Sequence, residues 1–402
     1  MTLETIVNAG LCTGCGACQY AVGEQAVSMR LSASGFLRPV ALRTLTGVEQ
    51  DAVRAVCPGI GLERKEGGQS PRYHPVWGPI VRMEAGHATD EEVRYKGSSG
   101  GVLSAILIHL VESGKVDFVV HTRASKAQPL MNETACSATR GEIIDAAGSR
   151  YAPASPVSAL TAALNRPGRF AFVGKPCDVA AVRKIMDREP AVAARIPYLL
   201  SFMCAGTPSM KGTMEMLKRM DMDPSAVTAL RYRGDGWPGL ACAESADGAR
   251  RTMEYNEAWG RILNRHLQPR CKMCADGTGE FADIVGADAW HGKDGYPDFT
   301  EQEGRSLIIA RTAAGEALLG EVKAGGVVSA QAFSETELVA IQPYQYRRKS
   351  EQVARRMAAW FLRKPWPRFK NMGIGQCALR YSPVQNAKAF VGTGKRILTG
   401  RF

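Results

Sequence analysis

Four cysteines near the start of the chain constrain it more than any other feature. Cys12, Cys15 and Cys18 stand at C-x2-C-x2-C spacing, and a remote Cys57 is followed by Pro58. Three thiolates so spaced can each reach one iron of a single 4Fe–4S cubane. Gly14 and Gly16 let the backbone wrap the cluster and aim amides at its sulfides. A bacterial ferredoxin run would place a fourth cysteine and a proline where this chain has Val22 and Gly23. In two-cluster ferredoxins that fourth cysteine serves the other cluster. Cys57 is therefore the expected fourth ligand here, and only the second cluster of such a domain is missing. The competing reading is a zinc knuckle or buried structural cysteines. Zinc favours two separated C-x-x-C pairs, so the spacing speaks for the cubane and for electron transfer.

The rest of the sequence places this motif in a larger redox protein. Eleven cysteines in a chain expected to be cytoplasmic argue for metal or redox chemistry rather than a disulfide framework. That localisation rests on Met1-Thr2-Leu3-Glu4-Thr5, which has no basic region leading into an apolar run, and on the lack of a membrane-spanning apolar stretch. The expected domains are 1–66, a small ferredoxin-like iron–sulfur unit ending in a polar linker at 64–72; 67–343, an α/β flavin-binding catalytic domain; and 344–402, a basic C-terminal helical segment. The overall fold class is α/β, or α+β with the small domain included. Gln25–Val40 should form a hairpin about Ser34-Gly35. Phe118–Val120, Arg169–Val173, Leu199–Met203 and Leu307–Ala310 should be strands, with helices over Ser99–Glu112 and from Asp178.

A second set of cysteines is more dispersed. Cys271 and Cys274 form a lone C-x-x-C, while Cys177 and Cys204 each follow an apolar strand. Cysteines at the carboxyl ends of parallel strands converge where ligands bind. These four could hold a second cluster, a zinc ion, or nothing. Cys136, Cys242 and Cys377 carry no assigned role. Lys96-Gly97-Ser98-Ser99-Gly100-Gly101 precedes a helical stretch, and small residues with free amides there suit phosphate or pyrophosphate. It is not G-x-G-x-x-G, so a Rossmann NAD site is not supported. As a bare motif the turn reads first as an ordinary glycine-rich cap, and Gly148-Ser149-Arg150-Tyr151 is a second turn of the same kind.

In order and number these motifs resemble the beta-subunit family of coenzyme F(420)-reducing hydrogenases and dehydrogenases, which includes 7-hydroxymethyl chlorophyll a reductase and a ferredoxin-dependent divinyl chlorophyllide reductase. The resemblance runs from about Cys12 to Gln345. It is carried by Cys12–Cys18 with Val56–Gly59, Lys96–Leu103, Gly148–Tyr151, Gly174–Asp178, Ser201–Ser209, Tyr232–Gly239 and Cys271–Trp290. It implies FAD held at Lys96–Gly101, Ser149, Arg150, Tyr151 and Lys175. It also implies a second 4Fe–4S cluster on Cys177, Cys204, Cys271 and Cys274.

The expected function is that of an iron–sulfur flavoprotein oxidoreductase, passing electrons between a ferredoxin-like carrier and an organic substrate. Lys175 and Asp178 are the catalytic candidates, with Arg150 also near the flavin. Lys175 has an ion-pair alternative, and Asp178 a helix-capping one. Asp283, Asp288, His87 and His291 are weaker candidates. A rival is an electron-transfer subunit of a larger complex with no substrate site of its own; a homo-oligomer is also compatible. Another rival is a zinc-stabilised nucleic-acid binder, although nucleic acid is not the expected partner. Residues 344–402 hold 14 Lys/Arg and one acid, Glu351, against 37 and 38 in the remainder. That basic segment, with a helix expected over Ser350–Leu362 carrying Trp360 and Phe361, suits ferredoxin, another acidic carrier, or peripheral contact with the inner face of an anionic membrane.

Overall fold

The computed structural model describes residues 1–65, 72–293 and 296–400. Most of the polar linker expected at 64–72 lies outside them. Its centre is an eight-stranded sheet in the order Val328–Ala332, Arg82–Ala88, Ser306–Ala310, Ile284–Asp288, Tyr198–Phe202, Phe170–Gly174, Phe118–Ala124, Asn132–Ser137. The strands Ile284–Asp288, Tyr198–Phe202, Phe170–Gly174 and Phe118–Ala124 are mutually parallel, and antiparallel strands flank them on both sides. Phe170, Ala171 and Phe172 are fully buried. Strands covered on both faces read as unbroken apolar runs, which is why this one stood out in the sequence.

The helix expected over Ser99–Glu112 begins at Val102, because Gly101 takes a left-handed φ of +72° and serves as its N-cap. The helix Pro176–Met186 opens with Pro176 at its first position, where a missing N–H costs nothing. At the N-terminus, Val27–Leu31 and Leu37–Ala41 pair as the expected hairpin. The helix Gly47–Val56 starts on a Thr46/Glu49 capping box and delivers Cys57 at its end.

The described part of the basic segment, 344–400, is woven into the body. The strand Arg368–Lys370 pairs in parallel with Gly61–Glu63. The helix expected over Ser350–Leu362 is present as Gln352–Phe361, and a further helix, Pro343–Ser350, precedes it. Arg348 and Lys349 are buried. Lys349 Nζ donates to Glu280 Oε1 in the interior, and Arg355 donates to the Lys272 carbonyl at 3.0 Å and to Glu351. Part of the basic composition expected to meet an acidic partner is therefore spent on internal acceptors.

Candidate functional site

A cavity of about 640 Å³ opens at the carboxyl ends of the parallel strands. Ligands in open α/β sheets bind at that edge because the loops leaving neighbouring strands diverge there. Gly174 and Lys175, Met203 and Cys204, and Ala287 and Asp288 line it from three adjacent strands. The N-terminus of the Val102–Glu112 helix opens on it, together with Gly97, Ser98 and Ser99 of the preceding turn and Ser149, Arg150 and Tyr151 of the second turn. The Ser98 and Ser149 hydroxyls lie 2.7 Å apart and tie the two turns together. Aromatic rings also line it, Tyr255, Trp259, Trp290 and Phe299, with Trp259 4.6 Å from the Tyr151 ring of the second turn. Trp259 comes from a π-helical stretch, Asn256–Ile262; such turns recur at functional sites.

Two expected contacts are corrected. Gly100 does not line the cavity. Its amide donates to Ser306 Oγ at 2.9 Å, and an added Cβ would sit 2.7 Å from both Gly86 O and Ser306 N. Its smallness serves the packing of the turn against the sheet, not the approach of a phosphate. Gly100→Ala should accordingly cost about 1–3 kcal/mol by overpacking, visible as a lowered denaturation midpoint. Lys96 also stays off the lining and pairs with Asp235 at 3.2 Å. Arg150 does line the cavity, but its guanidinium is engaged by Asn132 Oδ1 at 2.8 Å and by the carbonyls of Leu230, Pro129 and Met131. It holds the turn in place.

Lys175 and Asp178 form a buried pair at 2.6 Å. Asp178 also accepts from the Lys175 amide at 3.1 Å, so the capping role is present alongside any other. Burial works against the Lys175 charge, but Asp178 and the thiols of Cys177 and Cys204 outweigh it and hold the ammonium above its ordinary range. Burial conversely raises Asp178, although Lys175 opposes that rise. Asp178 Oδ1 is buried with no partner among the described residues.

Sequence reasoning missed one charged residue of the cavity lining, Arg233. It makes a two-pronged pair with Asp288, both contacts at 2.9 Å, and lies over the Tyr255 and Trp290 rings. Trp237, stacked on Trp290 at 4.7 Å, donates to the same Asp288. The signal available was the run Tyr232–Gly239, which marks a constrained loop but not the arginine's role.

The cysteines gather in two neighbouring sets. Burial raises the Cys12, Cys15 and Cys18 thiols, Cys15 to about 12, and the proximity of Cys57 raises all three further. Burial likewise lifts Cys204 to about 12, with Cys271 and Cys274 adding to it. Cys177 lies within electrostatic reach of both Cys204 and Cys15. Among the described residues no three His, Cys, Asp or Glu side chains close on a position for a single metal ion. A cubane differs in giving each thiolate its own iron.

Cationic groups surround both sets. Lys184 donates to the Cys57 carbonyl at 3.0 Å, and Arg270 to the Gly59 and Pro58 carbonyls. Arg348 donates to the Cys204 carbonyl at 2.8 Å, and Gln352 to that of Cys274 at 2.9 Å. The buried Gln268 bridges the sets, donating to Thr13 O at 3.1 Å and facing Cys271 Sγ at 3.5 Å. Arg348, Gln352 and Gln268 were not foreseen.

His121, on the cavity wall, gives a pH signature. Burial, reinforced by Arg123, lowers its imidazole to about 4 from an ordinary 6.5. The unfolded chain therefore binds the proton first. The stability from keeping it neutral is whole above 6.5 and is lost as pH falls toward 4, by roughly 3 kcal/mol. His121→Gln should flatten that part of the stability–pH curve measured by denaturant.

Comparison with known proteins settles the ancestry of this arrangement. The models for the N-terminal part and the C terminus of the coenzyme F(420) hydrogenase/dehydrogenase beta subunit match residues 83–161 and 168–336. The chain belongs to this family. Among its relatives, the coenzyme F(420) hydrogenase subunit beta of Methanococcus voltae is 27% identical over 278 residues, covering 66% of this chain and 90% of that one. The coenzyme F(420)-dependent sulfite reductase of Methanocaldococcus jannaschii is 25% identical over 282 residues, 65% of this chain and 40% of that protein. A chain of the F(420)-reducing nickel–iron hydrogenase complex of Methanosarcina barkeri shares the fold, with a TM-score of 0.55 and 20% identity over 72% of this chain and 96% of that one. The family match begins after Cys57, so the first cysteine set precedes it. Among the described residues no helix is long and apolar enough to cross a membrane.

Proposed function

We propose that this beta-family chain is an iron–sulfur flavoprotein oxidoreductase, a subunit that moves electrons between a ferredoxin-like carrier and a planar organic two-electron carrier. One observation carries this reading: Cys204, which neighbours Cys271 and Cys274, also lines the 640 Å³ cavity. A cluster on the second cysteine set would thus adjoin whatever the cavity holds. The names of the relatives support an oxidoreductase role within a complex.

The residues present fit both groups. The cavity lining combines glycine backbone and hydroxyls at a helix N-terminus with several aromatic rings, the make-up expected for a ligand that carries both phosphates and flat rings. Gly97, Ser98, Ser99 and Ser149 would hold the phosphates of FAD. Cys12, Cys15, Cys18 and Cys57 would hold one 4Fe–4S cluster, and Cys177, Cys204, Cys271 and Cys274 a second. Burial raises the Cys12, Cys15, Cys18, Cys177 and Cys204 thiols, and bound iron supplies the positive charge that favours thiolates. A bound flavin supplies the exchange between one- and two-electron carriers.

The chain's own groups set the conditions. Lys175 places a fixed positive charge beside the second cysteine set, with Asp178 keeping it protonated. Arg233, neutralised by Asp288, orients the aromatic wall. Cys12 and Cys15 are buried and Cys18, Cys57, Cys177, Cys204, Cys271 and Cys274 half-buried, which limits their contact with water.

The test is anaerobic purification with flavin and iron assayed separately. Ser149 lines the cavity without supporting the sheet, so Ser149→Phe should fold, keep its iron and lose most of its flavin. Undiminished flavin in a folded Ser149→Phe protein would rule out this cavity as the flavin site.

A further inference from the structure

The C-terminal helix Pro383–Leu398 half-buries Phe390 and Ile397 but turns another apolar stripe outward, against the usual pattern of a solvent-bordering helix. Such a helix turns its large apolar residues inward. Here the buried positions are Ala389 and Thr393, while Val384, Val391 and Leu398 are 62%, 67% and 75% exposed. They recur every seventh residue and so share one outer stripe. The neighbouring helix Gln352–Phe361 extends that surface, with Trp360 72% and Phe361 62% exposed. Phe361 meets Phe390 edge-on at 6.0 Å, which joins the two helices into one face.

Charge selects what covers this face. After Glu351 the chain holds eleven Lys/Arg and no Asp or Glu through residue 402. Arg355 and Lys370 of these are paired with Glu351 and Glu63, but Lys388 and Lys395 are exposed on the last helix beside the stripe. A basic surface studded with exposed Trp, Phe and Leu is the composition of an element lying in a lipid interface, apolar side chains below the headgroups and cations among them. The Pro383–Leu398 helix, 16 residues, is about 24 Å long at 1.5 Å per residue, suited to lying along a surface. We infer that this face seats the protein peripherally on an anionic phospholipid bilayer. The expected amphipathic surface at 350–362 is thereby relocated. Ala354, Ala358 and Ala359 of that segment are buried, and most of the contact stripe belongs to the last helix.

Flotation of the full-length protein with vesicles tests this. It should bind phosphatidylcholine vesicles containing phosphatidylglycerol, and bind at least about tenfold less to phosphatidylcholine alone or in high salt. Val391→Glu with Leu398→Glu changes only exposed side chains. It should leave the melting temperature and cofactor content unchanged while cutting vesicle binding by about tenfold or more, because it removes two apolar anchors and adds two charges that the anionic headgroups repel. Wild-type protein that ignores anionic vesicles, or a double variant that binds them equally, overturns the inference. So does a wild-type dimer in sedimentation that the double variant dissolves, which would give the face to a second copy. Salt-sensitive binding to an acidic ferredoxin that the double variant loses, without vesicle binding, would give it to a protein.

Discussion

Lys349→Met is expected to destabilise the protein by about 3–5 kcal/mol, the usual cost of leaving one member of a buried ion pair alone. Lys349 and Glu280 are almost wholly enclosed, with side chains 3% and 0% exposed. Glu280 has further partners, since Tyr73 donates to it at 3.1 Å and its own amide bonds Asp276. Burial raises the Glu280 carboxyl while Lys349 pulls it back. Removing the ammonium would therefore strand a carboxylate or force it to take up a proton. Urea denaturation reads the loss directly. Arg356→Met, on the exposed side of the next helix, should stay within about 0.5 kcal/mol. Equal effects at the two positions would mean that Lys349 is not the internal counter-ion it is drawn as.

The second large effect concerns iron. The two cysteine sets come from different parts of the chain, so they should fail separately. Cys57→Ala should lose about four irons, one cubane, and keep its flavin, because Cys57 is absent from the cavity lining. Cys271→Ala should lose the other four and loosen the flavin, because Cys204 belongs to both places. Iron and flavin assays on the two variants give four numbers. Flavin loss in Cys57→Ala with retention in Cys271→Ala would reverse the proposed order of the groups.

The elements that position the site could be recognised before any coordinates, and the reason is local. Phe170–Val173 is an unbroken apolar run because both faces of its strand are covered. Cys177 and Cys204 fall at strand ends, so a parallel sheet had to bring them to one edge. The glycines of both turns announce themselves by composition. What stayed hidden is what depends on distant pairs. Arg348 and Cys204 are 144 residues apart, and Gln268 and Thr13 are 255 apart. Nothing near Arg348 distinguishes a cation over a cysteine set from a cation in water. Gly100 misled for the opposite reason. A glycine kept small for ligand approach and one kept small for strand packing look alike until the neighbour, Gly86, is known. The last helix misled by omission, since its apolar stripe has the spacing of a core face while the fold turns it outward.

The central claim is that one chain holds a flavin in the strand-end cavity beside the second of two cubanes. Iron and flavin per chain after anaerobic reconstitution of the wild type test it most directly. The account predicts about eight irons, by cubane stoichiometry, and one FAD. About four irons, with Cys271→Ala losing none of them, would contradict it and leave Cys177, Cys204, Cys271 and Cys274 without a cluster.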